Sequence, residues 1–160
     1  MKTLQMKKVL IALDFDPTAQ KVADIGYSLA TALGAEITLL HVVVDPLYYS
    51  SIDSFPILGY TGSLVAPLQL LNTEETLKES GMFLDKIKKH LGNRGIKTLV
   101  KEGDFSTMIL KSAEELHADV IIMGSHSRRW LDEILMGSVT EEVLHHATVP
   151  LFIIPTHHAK

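Results

Sequence analysis

Cysteine is absent from this chain of 160 residues, and aromatic residues make up only 6% of it. Without cysteine the chain cannot form disulfides, thiolate nucleophiles, iron–sulfur clusters or zinc–thiolate sites. Hydrophobic residues nevertheless reach 46%, which indicates a core of aliphatic side chains, as in sheet-centred α/β domains. The absence of cysteine is also compatible with a reducing compartment.

An excess of positive charge is lacking as well, because the formal net charge is -4. No global positive field exists to hold DNA, RNA or an acidic membrane surface, so any phosphate recognition has to be local. The apolar run Val9–Leu13 is shorter than the core of a signal peptide, and no stretch approaches the roughly 18–20 apolar residues of a membrane span. We therefore expect a cytoplasmic protein that binds neither nucleic acid nor membrane.

Apolar runs of strand length alternate with segments of helical period along the chain. The five runs predicted as buried strands are Lys7–Asp14, Ala35–Val44, Ile96–Gly103, Ala118–Ser125 and Val149–Pro155. Continuous apolar runs are typical of strands covered on both faces. Their alternation with helices predicts an α/β fold with a parallel sheet, right-handed crossovers and helices on both faces. The length fits one domain over residues 1–160.

Local signals predict where four helices begin and end. Asp16, before a proline, predicts the start of the first helix and Gly34 its end. Asn72 with Glu75 forms a capping box for the second helix, and Asp104 is predicted to cap the third. The residues expected to face the core are Val22, Ile25, Leu29, Ala32 and Leu33, then Leu77, Met82 or Phe83, Leu84 and Ile87, then Met108, Ile109, Ala113 and Leu116, and finally Val139, Val143, Leu144 and Ala147.

The segment 45–71 shows neither a strand nor a clear helical period, and it far exceeds the usual loop of roughly 4–6 residues. It carries three of the four tyrosines, Tyr48, Tyr49 and Tyr60. We interpret it as a packed surface excursion between the second strand and the second helix. A lid over a binding site and a surface for a protein partner are the alternatives.

In open parallel sheets, ligands bind beyond the carboxyl ends of the strands, near the point where the strand order reverses. This rule selects three strand ends: Ala12–Asp14, His41–Val43 and Met123–His126. Asp14 either closes the turn after the first strand or holds a ribose or a metal ion on phosphate. His41 is interpreted as a hydrogen-bonded core residue, whereas His126 lies in the candidate loop and can donate a hydrogen bond to phosphate.

Two Gly-Ser pairs flank a short segment of mixed charge after the fourth strand. Gly124 allows main-chain N–H groups to approach an anion closely, and Gly137-Ser138 precedes a helix whose free N–H groups and dipole favour one. Arg128 and Arg129 lie between the pairs and can reach terminal phosphates. The stretch Ser138–Glu141 is also a well-formed capping box, which satisfies the helix start without any ligand.

Catalytic and metal motifs are lacking. The histidine pairs at 145–146 and 157–158 point in different directions and are interpreted as solvated surface residues rather than a metal site. The sequence contains no P-loop, no G-x-G-x-x-G after the first strand and no G-x-S-x-G nucleophile elbow. No nucleophile lies beside a base in the sequence pattern, so catalysis has little direct support.

Over nearly its full length the chain resembles the universal stress proteins, of the adenine-nucleotide α-hydrolase-like group. The nucleotide-binding branch of that family carries G-x2-G-x9-G-[ST] after strand four, and this chain reads Gly124-x2-Ser127-x9-Gly137-Ser138. Ser127 replaces the second glycine, which adds a Cβ at the phosphate approach but also a hydroxyl. Further stretches that carry the resemblance are KKVLIALDFDPTA, ADIGYSLATALGAEITLLHVV, HADVIIMGSH and ILMGSVTEEVLHHATVPLFIIP.

The resemblance implies a Rossmann-like sheet of strand order 3-2-1-4-5 and a bound adenine nucleotide. The residues it assigns are Ala12, Asp14 and Val42 at the adenosine end, Met123, Gly124, His126 and Ser127 in the first phosphate loop, and Gly137, Ser138 and Val139 in the second. Val42 is expected to offer main-chain groups to adenine. The family also implies a homodimer that pairs through the last strand, Val149–Ile154.

Three functions remain open from the sequence. The leading hypothesis is a stress-response or signalling protein that holds ATP, ADP or AMP, with Mg²⁺ and with little or no turnover. The second is a slow Mg-dependent ATPase, for which His126 is the only candidate base. The third is a nucleotide-free dimeric interaction module, favoured by Ser127 and by the segment 45–71.

Overall fold

A computed structural model of the chain describes residues 3–43, 73–125 and 138–156. All five predicted strands are present, each somewhat shorter than its apolar run. The segment 45–71 and the predicted cap at Asn72 lie outside the described residues. In chain order the elements are β1 Lys8–Ala12, α1 Ala19–Leu33, β2 Glu36–Val43, α2 Thr73–Leu91, β3 Lys97–Glu102, α3 Phe105–Glu115, β4 Val120–Gly124, α4 Ser138–His146 and β5 Leu151–Ile154.

The five strands form one parallel sheet in the order β3-β2-β1-β4-β5, which confirms the expected topology. Ala12 at the end of β1 lies opposite Leu40 of β2, and Ile11 lies opposite Ile122 of β4. The chain runs outward from β1 to β3 and then crosses to the other side of β1. The strand order therefore reverses between β1 and β4, which is where such sheets bind ligands.

Two hydrophobic cores cover the two faces of the sheet, because side chains alternate along each strand. On the first face, Ile11, Leu39 and Ile122 pack with residues of α1 and α2. On the second face, Leu40 and Ile121 pack with residues of α3 and α4. The prediction of a buried third strand is wrong: β3 is an edge strand in which Leu99 and Val100 are only partly buried.

Helix α1 packs mainly through small residues, and only part of its predicted core stripe is confirmed: Val22 is buried and Leu29 packs on the core. Its buried residues are Ala19, Val22, Ala23, Gly26 and Ala30. Ile25 and Leu33 are 38% and 42% exposed, and Ala32 is exposed too. Small side chains allow the helix backbone to approach the sheet closely, so the buried stripe is rotated from the one that the bulky residues indicate. The same prediction fails for Leu144 of α4, and in α2 Phe83 packs on the core while Met82 is exposed.

Of the helix caps predicted at Asp16, Gly34 and Asp104, the last two are confirmed. Gly34 ends α1 with φ 62°, a left-handed conformation that suits glycine. Asp104 precedes α3 and accepts a hydrogen bond from the Thr107 N–H at 2.9 Å, as predicted. Asp16 is not the cap of α1, because the helix begins after Thr18. The Asp16 carboxylate instead accepts hydrogen bonds from the Thr18 N–H and hydroxyl, at 2.8 and 2.6 Å, within the preceding turn.

Candidate functional site

The carboxyl ends of β1, β2 and β4 meet at one edge of the sheet, as the sequence predicts for parallel strands. Ala12, Val42 and Met123 all contact the core beneath α3 and α4. Their side chains therefore lie on the same face of the sheet. Asp14 is half-buried and begins the turn that follows β1. The strand ends predicted to line the site are thus adjacent, and three of their side chains, Ala12 and Val42 of the predicted adenosine end and Met123 of the predicted first phosphate loop, lie on the α3–α4 face.

The start of α4 is attached to the end of β4 by one buried side chain. Thr140 is 2% exposed, and its hydroxyl lies 3.1 Å from the carbonyl oxygen of Gly124 and 3.5 Å from that of Ser125. Because carbonyl oxygens only accept, Thr140 is the donor. The bond holds the amino-terminal turn of α4, with its N–H groups and positive dipole end, against the last residues of β4.

Ser125 is also hydrogen-bonded to the last residue of β5 and to Thr156 just after it. Its N–H donates to the Ile154 carbonyl at 2.8 Å, and its hydroxyl accepts from the Thr156 N–H at 3.1 Å. The two side-chain hydroxyls lie 3.4 Å apart. Ser125, Thr140 and Thr156 are all buried, so the exit of β4 is fixed by a group of three hydroxyl side chains. The sequence reasoning missed this group; its only signal was small hydroxyl residues at the ends of apolar runs.

The opposite face of the same edge carries three aromatic rings. His41 is 5% exposed, and its Nδ1 lies 2.8 Å from the Leu13 carbonyl oxygen, which confirms the prediction of a hydrogen-bonded core histidine. Its ring packs edge-on against Phe15 and Phe83, with centroid distances of 4.5 and 5.6 Å. The sequence analysis did not single out Phe15, and it named Phe83 only as an alternative to Met82 for the core face of α2.

Four of the predicted site residues, His126, Ser127, Arg128 and Gly137, lie outside the described residues. Helix α4 begins at Ser138 itself, whereas the sequence placed that residue just before the helix. Val139 is half-buried against the α3–α4 core. His145 and His146 are exposed, as predicted, and His145 lies 3.9 Å from Glu141 one turn away.

Within residues 3–43, 73–125 and 138–156, no group of three or more histidine and acidic residues is arranged to hold a metal ion. A cavity of about 70 Å³ opens at the amino-terminal edge of the sheet, among residues that include Lys8, Glu36 and Lys97. That edge is the opposite end from the strand exits, and the cavity is far smaller than the roughly 300–1,000 Å³ of typical ligand sites. The helices in the described ranges include none with the length and apolar character of a membrane span.

Known proteins of one family match nearly the whole chain. A family model described as the universal stress protein family matches residues 6–155. The universal stress protein MJ0577 of Methanocaldococcus jannaschii is 31% identical over 157 residues, which cover 95% of this chain and 96% of that protein. The solved structure of MJ0577 aligns with a TM-score of 0.74 at 28% identity, over 98% of this chain and 100% of the other.

Two more distant solved structures share the fold and hold adenine nucleotides. One is a universal stress protein in complex with cAMP, with a TM-score of 0.62 at 17% identity over 96% of this chain and 100% of the other. The other is the universal stress protein of Archaeoglobus fulgidus in complex with dAMP, with a TM-score of 0.52 at 17% identity over 94% and 98%.

Proposed function

Because this chain belongs to the universal stress protein family, we propose that it is a cytoplasmic stress-response protein that binds an adenine nucleotide with little or no turnover. The observation that carries the proposal is the 3.1 Å hydrogen bond from Thr140 to the Gly124 carbonyl. It brings a helix amino terminus to the carboxyl edge of the sheet, beside the reversal of strand order. Helix amino termini favour phosphate, and that crevice is where nucleotides bind in open α/β sheets.

The described residues fit the two ends of such a ligand. Val42 lies one residue before the end of β2 and has main-chain groups for a base, and Asp14 has a carboxylate for the ribose hydroxyls. The start of α4 supplies N–H groups for phosphate, and Gly124 leaves room for the backbone to approach it. His126, Ser127, Arg128 and Gly137 complete the proposed phosphate site by sequence position. We infer ATP, ADP or AMP as the ligand, and the cAMP and dAMP held by the two distant relatives support an adenine nucleotide.

Mg²⁺ is part of the proposal only as an ion carried by the nucleotide. The described ranges offer no cluster of acidic and histidine ligands, and Mg²⁺ commonly binds through one or two carboxylates together with substrate phosphates. Asp14 would take such a role only in place of the ribose contact that we propose for it. When bound, the ion would neutralise phosphate charge, while the chain itself contributes main-chain donors and the helix dipole.

We also propose that two copies pair through β5. This strand is at one edge of the sheet and its outer side has no neighbour among the described strands. Phe152 is 40% exposed on it. A second copy pairing along β5 would cover this ring and satisfy the edge.

Isothermal titration calorimetry with ATP, ADP, AMP and GTP tests the nucleotide proposal. We expect saturable binding of the adenine nucleotides and at least ten-fold weaker binding of GTP, because main-chain groups that pair with an adenine edge are left unpaired by guanine. Absence of ATP binding at millimolar concentration, or equal affinity for ATP and GTP, contradicts it.

A further inference from the structure

His41 is a buried side chain on the opposite face of the sheet from Ala12, Val42 and Met123. Its Nδ1 lies 2.8 Å from the carbonyl oxygen of Leu13. A carbonyl oxygen can only accept, so Nδ1 carries the proton and donates it. The ring cannot contact a ligand bound on the α3–α4 face, but it contacts the backbone that leads into the site.

The Leu13 carbonyl and the Asp14 N–H belong to the same planar peptide group. The hydrogen bond from His41 therefore fixes the orientation of the Leu13–Asp14 peptide group, and with it the N–H of Asp14. The Leu13 N–H is also bound to β2, since it donates to the Leu40 carbonyl at 2.8 Å. Both polar backbone groups of Leu13 are thus held by β2, one by its main chain and one by its histidine.

The residue after Asp14 is held by the same ring. The Phe15 ring packs edge-on against the His41 ring, with 4.5 Å between the ring centroids. The Phe83 ring of α2 lies 4.6 Å from Phe15 and 5.6 Å from His41, again between ring centroids. Asp14 is therefore flanked on both sides by residues in contact with His41. The proposed nucleotide contact has little freedom to move unless the histidine or its packing changes.

We propose that His41 is a positioning residue for the nucleotide: its Nδ1–H holds the Leu13–Asp14 peptide so that the Asp14 carboxylate meets the ribose. The inference rests on the proposed function, because it assigns a role toward the same ligand. His41 acts through Asp14 and does not touch the nucleotide. Phe15 and Phe83 keep the ring in its hydrogen-bonding orientation.

Two substitutions separate the hydrogen bond from the packing of the ring. His41→Asn places an amide nitrogen near the position of Nδ1 and keeps a donor, but it removes ring atoms that contact Phe15 and Phe83. His41→Phe keeps an aromatic ring between them and removes the donor. The cavity left by asparagine lowers thermal stability more than the ring replacement does. If His41 is merely structural, nucleotide affinity follows stability and the asparagine variant binds ATP more weakly than the phenylalanine variant. If His41 positions Asp14 through its hydrogen bond, the phenylalanine variant binds ATP more weakly.

We expect His41→Phe to bind ATP about 3- to 10-fold more weakly than wild type, the effect of one net hydrogen bond. His41→Asn should bind within about 3-fold of wild type while melting at the lower temperature of the two variants. Affinity that falls with melting temperature, so that the asparagine variant binds more weakly than the phenylalanine variant, overturns the proposal. Equal affinity of wild type and His41→Phe overturns it as well.

An NMR measurement without ligand keeps this test separate from the nucleotide proposal. The Asp14 N–H should shift upfield in His41→Phe, because the carbonyl of its own peptide group loses a hydrogen bond, and should stay near its wild-type position in His41→Asn. An unchanged Asp14 signal in His41→Phe contradicts the positioning role even if ATP binds normally. If wild type fails to bind ATP, the proposed function fails, and the Asp14 signal still decides whether His41 orients this peptide.

Discussion

The Thr140 hydroxyl donates a hydrogen bond to the Gly124 carbonyl at 3.1 Å and joins the start of α4 to the end of β4. Residues 126–137, which include the second motif position and the candidate arginines Arg128 and Arg129, lie outside the described residues. The bond holds the end of β4 and the start of α4 at the same edge of the sheet. The anchor therefore fixes the position of Gly124 relative to the start of α4, the two described parts of the proposed phosphate site.

Replacing Thr140 by valine tests whether this anchor matters for binding. Valine nearly matches threonine in shape, so packing is retained and only the hydroxyl is lost. We expect ATP affinity, measured by calorimetry, to fall about 3- to 10-fold, together with a loss of about 1 kcal/mol in the free energy of unfolding. Thr98→Val, at an exposed threonine of the edge strand β3, is the matched control and should leave affinity unchanged. Unaltered ATP affinity in Thr140→Val contradicts a role of the anchor in the site.

The close packing of α1 predicts opposite effects for two glycine substitutions. A Cβ at Gly26 would lie 2.9 Å from Ile11 Cδ1 and 3.4 Å from Ile122 Cγ2, within a fully buried core. We expect Gly26→Ala to lower the free energy of unfolding by about 1–3 kcal/mol despite the better helix propensity of alanine. Gly81 lies in α2, where a Cβ would meet nothing within 4 Å.

Gly81→Ala should therefore raise the free energy of unfolding by up to about 1 kcal/mol. Urea denaturation of both variants measures the difference. The packing account is wrong if Gly26→Ala is as stable as Gly81→Ala.

Helix α1 shows which part of the fold the sequence predicted and which part it did not. Apolar runs predicted all five strands of the described residues. Burial on both faces explains the strong local pattern of β1, β2 and β4, whereas β3 and β5 are edge strands. The buried face of α1 was predicted only in part, since Ile25 and Leu33 indicated a hydrophobic stripe while the close approach depends on Gly26 and the buried alanines of the helix. Residue volume, rather than hydrophobicity, determined which face of α1 is buried.

The candidate site also has a part that the sequence predicted and a part that it did not. The strand ends at Asp14, Val42 and Gly124 followed from the topology rule alone, because parallel strands end at one edge. The contacts of Thr140 with Gly124 and of His41 with Leu13 join residues distant in the chain. A single sequence carries no pattern that pairs them, so these contacts required the structure.

Asp104 predicts a stability change at acidic pH. Burial raises the pKa of its carboxyl, but hydrogen bonds from the Thr107 hydroxyl, the Thr107 N–H and the Ser106 hydroxyl outweigh that and hold the pKa below the ordinary value of 3.8. A group with a lowered folded-state pKa stabilises the protein above its unfolded pKa. That contribution is lost as the pH falls through the lowered value.

Asp104→Asn keeps the helix cap and removes the charge, so it is the matched variant. Its deficit in the free energy of unfolding relative to wild type should be present at neutral pH and shrink at pH values below 3.8. Urea denaturation across this pH range measures it. A deficit that does not change with pH contradicts the assigned hydrogen bonds. Asp104→Ala should cost about 1 kcal/mol more at neutral pH, through loss of the cap.

The proposed pairing through β5 predicts that a charge at Phe152 weakens association. Lysine on an edge strand opposes pairing with another edge. We expect Phe152→Lys to shift the sedimentation equilibrium toward monomer while the fold is kept. Met82, 63% exposed on α2, provides the control, since Met82→Lys adds the same charge away from β5. A wild-type protein that is monomeric at all concentrations contradicts the proposal, as does a Phe152→Lys variant that associates like wild type.

The central claim is that an adenine nucleotide binds at the carboxyl edge of the sheet. Titration of ¹⁵N-labelled protein with ATP, followed by two-dimensional NMR, tests the binding and its location together. We predict saturable shifts at the amides of Asp14, Val42, Gly124 and Val139. The amides of Lys8, Glu36 and Lys97, at the opposite edge beside the 70 Å³ cavity, should stay unchanged. No shifts at millimolar ATP, or shifts confined to the opposite edge, would contradict the account.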